Sequence, residues 1–224
     1  MIKKLALIIG FIICLSSCGK DYVYRIEGEL SNLEDQTVYA VFEKDNYKVV
    51  DTVVCTKPGQ FQIDQNEAGF HCVTIFFADK EHWVTAYLEP GETVKITGDA
   101  NSPLLLQVKG GRTNDKLTAF KKKIAPLLTE LTNLSNSLNS KDLNDTIEET
   151  DIAARLANVN MQLSEEAIRY VKENPDEEVS VVLIQSFFSD PDDTRKIDEL
   201  LALLNPRLKD FYPVSYTHLT LPTT

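Results

Sequence analysis

Thiols, imidazoles and carboxylates are the side chains with which a 224-residue chain would do chemistry, and here the first two are scarce: cysteines at 14, 18, 55 and 72, and three histidines. Thiol–disulfide catalysis runs through a thiolate of lowered pKa with a resolving partner, usually two residues away in Cys-x-x-Cys. The sequence has no such pair. Beyond Cys18 only Cys55 and Cys72 remain, seventeen positions apart in β-rich runs. An oxidising compartment would let them bridge, yet neither the spacing nor a strand assignment fixes a Cα separation that fits a disulfide, and two buried thiols are the other reading. Zinc needs several His, Cys or carboxylate ligands at short spacing. The nearest approach is His71-Cys72 with His82 eleven residues on, and adjacent strand residues face opposite ways. The acidic runs Glu148-Glu149-Thr150-Asp151, Glu165-Glu166 and Asp190-Pro191-Asp192-Asp193 lack the alternating oxygens of a calcium loop and read as solvated helix faces or first-turn acids. Trp83 with Tyr87, and Phe76-Phe77, would make a glycan or peptide platform if exposed, although strand aromatics belong first to cores. The expectation is no catalytic residue, no metal and no cofactor.

Charge narrows the partners. With 23 Lys plus Arg against 34 Asp plus Glu the net charge is −11, the wrong sign for a phosphate-binding surface, so no nucleic acid is expected. A hydrophobic content of 43% is that of a folded chain, and 224 residues allow one large domain or two small ones.

Lys3 and Lys4 precede an apolar run, Leu5 to Leu15, that is too short to span a bilayer. This is the layout of an export signal. It closes on Leu15-Ser16-Ser17-Cys18, which resembles a bacterial lipobox. That resemblance implies a signal peptide over 1–17, cleavage before Cys18, lipid attachment on Cys18 and a tether over 18–21; Cys14 then leaves with the signal. Two or three acyl chains hold a protein at a membrane where one does not. The charge of the processed chain becomes −13, so the lipid rather than the surface must do the anchoring. Gly19-Lys20-Asp21 lacks a longer acidic run of the kind that resembles a surface-export signal, which favours the periplasmic side of the outer membrane.

The last residues, Val214-Ser215-Tyr216-Thr217-His218-Leu219-Thr220-Leu221-Pro222-Thr223-Thr224, have neither strand nor helix period and resemble the translation of a transposase sequencing adapter. On that resemblance 213–224 is an artefact, Tyr212 is the last residue of the natural gene present, and His218 is no ligand.

Between these ends the pattern changes once. Residues 22–110 break into eight β-rich runs, Tyr22–Leu30, Thr37–Glu43, Lys48–Cys55, Gln60–Asp64, Phe70–Ala78, Trp83–Glu89, Glu92–Gly98 and Leu104–Lys109, separated by turn pairs such as Asp45-Asn46, Pro58-Gly59 and Pro90-Gly91. Short connections predict antiparallel neighbours and a sandwich-like domain. Residues 111–212 switch to a helical period. Thr113-Asn114-Asp115 offers capping oxygens to a helix that Pro126 should kink or split; further helices are predicted over Asp145–Glu173, over Glu178–Phe188 and from Pro191. The fold class expected is α+β, an N-terminal antiparallel β-sandwich-like domain followed by a helical segment. The run from Glu178 to Phe188 is apolar nearly all round and needs partners on two sides; the β domain, a second copy and a domain beyond Tyr212 are the candidates, the last preferred.

Tyr24-x-Ile26-x-Gly28, Val38-Tyr39, Val50-Asp51-Thr52, Gly59-Gln60-Phe61, Leu88-Glu89-Pro90-Gly91 and Val108-Lys109-Gly110-Gly111…Asn114 occur in an order and spacing that resembles a known pattern. It is similar to the uncharacterised β domain that precedes a thioredoxin-like domain in many Bacteroidota lipoproteins, the family labelled thiol:disulfide interchange or AhpC/TSA proteins. The resemblance implies that the dithiol resides in a C-terminal domain not present here, and that this region is the lipid-anchored tether, platform or dimerisation unit. A stand-alone lipoprotein that binds a protein or glycan is the competing expectation. Asp51-Thr52-Val53 and Asp145-Thr146-Ile147 also resemble the O-glycosylation signal of such exported proteins, the second being the more accessible candidate.

Overall fold

A computed structural model describes residues 22–33, 37–45, 47–77, 82–139, 146–188 and 195–210. Cys18, the signal and the C-terminal eleven residues lie outside them. Eight strands form in the places the turn residues dictate: β1 (Tyr24–Ser31), β2 (Thr37–Lys44), β3 (Tyr47–Val54), β4 (Gln60–Gln65), β5 (Cys72–Phe76), β6 (Trp83–Tyr87), β7 (Thr93–Asp99) and β8 (Gln107–Lys109). They build two four-stranded sheets, ordered β4-β1-β7-β8 and β3-β2-β5-β6. The hairpins β2–β3, β5–β6 and β7–β8 are antiparallel, as their short loops require. One pairing departs from expectation. β1 lies parallel to β7, Ile26 opposite Val94 and Gly28 opposite Ile96. Turn chemistry speaks only of sequence neighbours, and a whole second sheet intervenes between these two strands.

Alternation fixes which side is core. Tyr24, Ile26 and Leu30 of β1 face Val38, Ala40 and Phe42 of β2 across the sandwich, with Val73, Ile75, Val94 and Ile96 beside them, all buried. Each Val, Leu, Ile or Phe among them contributes about 1.5–3 kcal/mol when fully buried. Gly28 takes the inward position between Ile26 and Leu30, directly opposite Phe61. The Phe61 ring fills the space a side chain at 28 would need: a Cβ built there would stand 2.1 Å from it.

The helices are α1 (Arg112–Lys123), α2 (Ala125–Asn139), α3 (Thr146–Glu173), α4 (Glu178–Phe188) and α5 (Arg195–Leu201). Pro126 splits α1 from α2, as expected. The start of α1 differs from expectation. Its N-cap is Gly111, with no side-chain cap. Instead Glu89 Oε1 accepts the Arg112 N–H at 2.8 Å and Asp115 Oδ1 accepts the Gly110 N–H at 3.3 Å. Thr113 and Asn114 are thereby freed from capping and turn to tertiary work.

The second correction concerns α4. The apolar residues of its first two turns are covered within this chain: Val179 and Leu183 pack with α1, α2 and α3, Ile184 with α5, and Val181 with Leu208, all of them buried. A domain beyond Tyr212 is not needed to cover them.

Candidate functional site

Helix α1 is the joint of the molecule. Leu88 N–H bonds to His71 O, so the backbone groups of Tyr87 face away from β5 toward the open edge of β6. Asn114 meets them there: the Tyr87 N–H donates to Asn114 Oδ1 at 2.8 Å, and Asn114 Nδ2 donates to Tyr87 O at 2.7 Å and Gly110 O at 2.6 Å. One turn later Thr118 treats β8 the same way. Its Oγ1 accepts from Val108 N–H at 3.1 Å and donates to Val108 O at 2.6 Å. Both side chains are buried, and each imitates a strand partner. Two residues on one helix face therefore pair with an edge of each sheet.

At the N-terminal end of α1 a polar cavity of about 320 Å³ is lined by Arg112, Thr113, Lys116, Glu177, Glu178 and Arg207. Lys116 donates to both Glu177 oxygens, Arg112 to Glu177 Oε1 at 3.2 Å, and the Thr113 hydroxyl to Glu178. The Lys116 ammonium, helped by Arg112, holds the Glu177 carboxyl below its ordinary value of 4.5. A carboxylate so depressed stabilises the fold above that ordinary value and loses its contribution as pH falls through the lowered one. The urea midpoint of the wild type should accordingly exceed that of Glu177→Gln by a constant margin down to about pH 5, and the margin should shrink in stronger acid. A margin unchanged at pH 3 would show that the ion pair does not join the start of α4 to α1.

The larger cavity, about 420 Å³, lies where α1 and α4 cross the outer face of β5 and β6. Cys72, Thr74 and Thr85 form its floor; Leu117, Phe120 and Ile124 of α1 form one wall; Leu183 and Phe187 of α4 form another. Trp83, 53% exposed, stands at the rim and continues outward into Phe76, 6.1 Å away between ring centroids, and then Tyr39 in register on β2. Lys121 enters among these apolar groups, and burial pushes its ammonium down to about 8. Its Nζ donates to Leu106 O at 3.3 Å. Sequence reasoning passed over Lys121 within Lys121-Lys122-Lys123, a run that looks like ordinary dipole compensation at a helix end. A signal existed: 121 shares the stripe of 117, 120, 124 and 128, where a lysine is out of place.

The thiols and imidazoles singled out from sequence do not gather into a site. Cys55 and Cys72 are free thiols. Cys55 is part of the sandwich core just after Val54, which pairs with Thr37; Cys72 pairs with Glu43 on the opposite face, beneath the helices. Thr37 and Glu43 are six residues apart on β2, about 20 Å at strand rise, so a bridge, which needs Cα atoms within about 7 Å, does not form. Burial pushes the Cys72 thiol up to about 12, with the Glu43 charge adding to it. His71 Nε2 lies 3.2 Å from Asp45 Oδ1, and among the described residues no three His, Cys, Asp or Glu side chains gather as a metal site. Glu166 pairs with Arg169 and Lys123. Of the aromatics, Phe77 is core and Trp83 is exposed. Thr52 is exposed on β3, while Asp145 and Asp190–Asp193 fall outside the described residues. No helix among the described residues is long and apolar enough to cross a membrane.

No curated protein and no solved structure matches the chain. Residues 24–117, from the first residue of β1 to Leu117 in the middle of α1, match a family model described as a domain of unknown function, DUF4369.

Proposed function

We propose that this chain is the membrane-anchored, non-catalytic N-terminal region of a periplasmic thioredoxin-like thiol:disulfide oxidoreductase, lipid-attached through Cys18 and acting as tether, platform or dimerisation unit. The observation that carries the reading is the state of the two thiols. One is a core residue, the other lies beneath helices with its thiolate out of reach near neutral pH, and about 20 Å of strand separates them. A region so built does not compete with a neighbouring dithiol for mixed disulfides. The match at 24–117 fits the same reading, since it covers the stretch that resembles the β domain of those lipoproteins.

Two measurements test it. Cys18→Ala should leave an unprocessed precursor that no longer partitions into detergent; normal processing would remove the anchor from the proposal. Insulin reduction by the processed chain should not exceed that of a Cys55→Ser, Cys72→Ser double variant, and turnover above that level would refute a non-catalytic role. The second reading, a stand-alone lipoprotein that binds a protein or glycan, is favoured by the aromatic row Trp83–Phe76–Tyr39, of which Trp83 is exposed and the other two are half-buried. Genomic sequence beyond the Tyr212 codon separates the two: an open frame for about one more domain with Cys-x-x-Cys, or an early stop.

A further inference from the structure

The cavity between α1, α4 and the outer face of β5 and β6 is apolar in its walls and has one cation inside it. Lys121 has three N–H donors and a single acceptor, Leu106 O, at 3.3 Å. Among the described residues no carboxylate lies within ion-pair distance of it; Glu43, at the same cavity, is held by Lys48 at 2.7 Å. An ammonium withdrawn from water without a counter-charge is costly, and the cost is offset when an anion enters. An anion alone would be a poor occupant, because the processed chain carries −13 and its long-range field repels small acids. An apolar body corrects this, gaining about 25 cal/mol for each Å² removed from water against Leu117, Phe120, Phe187 and the Trp83 ring. The volume of about 420 Å³ is within the range of small-ligand sites.

We propose that this cavity binds a single-chain amphiphile with an acidic head, the head pairing with Lys121 Nζ and the chain lying between Phe120 and Trp83. The site is independent of whether a redox domain follows.

Trp83 is the only tryptophan of the chain and stands at the rim, so its emission reports occupancy directly. The processed chain, with Cys18 unacylated, is titrated with decanoate, decanol, decylamine and acetate, each below its micellar concentration. Decanoate should give a saturable change in Trp83 emission, decanol should bind at least about tenfold more weakly, as expected for losing a charge-assisted hydrogen bond, decylamine more weakly still, and acetate should give no change. Lys121→Met should bring decanoate down to the level of decanol while decanol is unaffected, and Lys121→Arg should restore the preference. Equal titration by decanoate and decanol, or an undiminished preference in Lys121→Met, overturns the proposal. Should Lys121→Met fail to fold, the order of the four probes on the wild type decides alone.

Discussion

Asn114→Ala should destabilise the protein by about 3 kcal/mol, more than any surface substitution. The variant removes Asn114 as the partner of the part-buried Tyr87 N–H and C=O and of the Gly110 carbonyl, and each group stranded in a fully buried place would cost about 1–3 kcal/mol. Partial access of water to the edge of β6 keeps the sum below the ceiling. Asn114→Asp is the sharper test. It keeps the acceptor for Tyr87 N–H but loses both donors and sets a charge against two carbonyl oxygens, so it should be no better than alanine. Urea denaturation reads the effect as a lower midpoint at unchanged slope. A loss under about 1 kcal/mol for both variants would mean that α1 is held by its apolar face, and that the imitation of a strand is incidental.

Gly28→Val should be comparably damaging, for the opposite reason. Nothing is lost; matter is added where the Phe61 ring already lies, with the Cβ alone arriving at 2.1 Å. Phe61 is itself buried among β1, β4 and the second sheet, so the ring has nowhere to go without moving a strand. Overpacking of this kind costs about 1–3 kcal/mol and at times more. The diagnostic is rescue: Phe61→Ala alone opens a cavity and destabilises, yet in combination Gly28→Val should fill part of it, so the double variant should be more stable than the sum of the singles. Additive losses would show that 28 and 61 do not share one volume.

These two sites explain which parts of the sequence were legible. The segments that define the resemblance include Gly28, Gly59-Gln60-Phe61, Glu89 and Gly110…Asn114, and in the fold these are pairs. Gly28 lies under Phe61, Gly59 has φ +76° with Leu30 O where its Cβ would go, Glu89 accepts from the first residue of α1, and Asn114 reaches Gly110 and Tyr87. The pattern was visible as short runs of residues; what each does was not, since the partners are far apart in sequence. Strand and helix positions followed from turn residues and periodicity, which are local. The parallel union of β1 and β7, the tertiary use of Thr113 and Asn114 in place of capping, and the entry of Lys121 into an apolar cavity are all decided by contacts between distant segments, and no spacing encodes them. Val50-Asp51-Thr52, on the exposed β3, has no structural account.

The parallel pairing of β1 bears on how the chain comes to be folded. β1 is made first yet is central in its sheet, and its neighbours begin at Gln60 and Thr93. It cannot be completed until nearly the whole sandwich exists, and β6 and β8 keep bare edges until Asn114 and Thr118 arrive behind them. Such long-range closure belongs to folding times of about milliseconds to seconds, with unpaired edges able in the meantime to capture a neighbouring chain. The first helix, made only after all eight strands, is thus the latch: folding of the sandwich should be rate-limited by the docking of α1, and a nascent chain released before Thr118 should aggregate rather than wait.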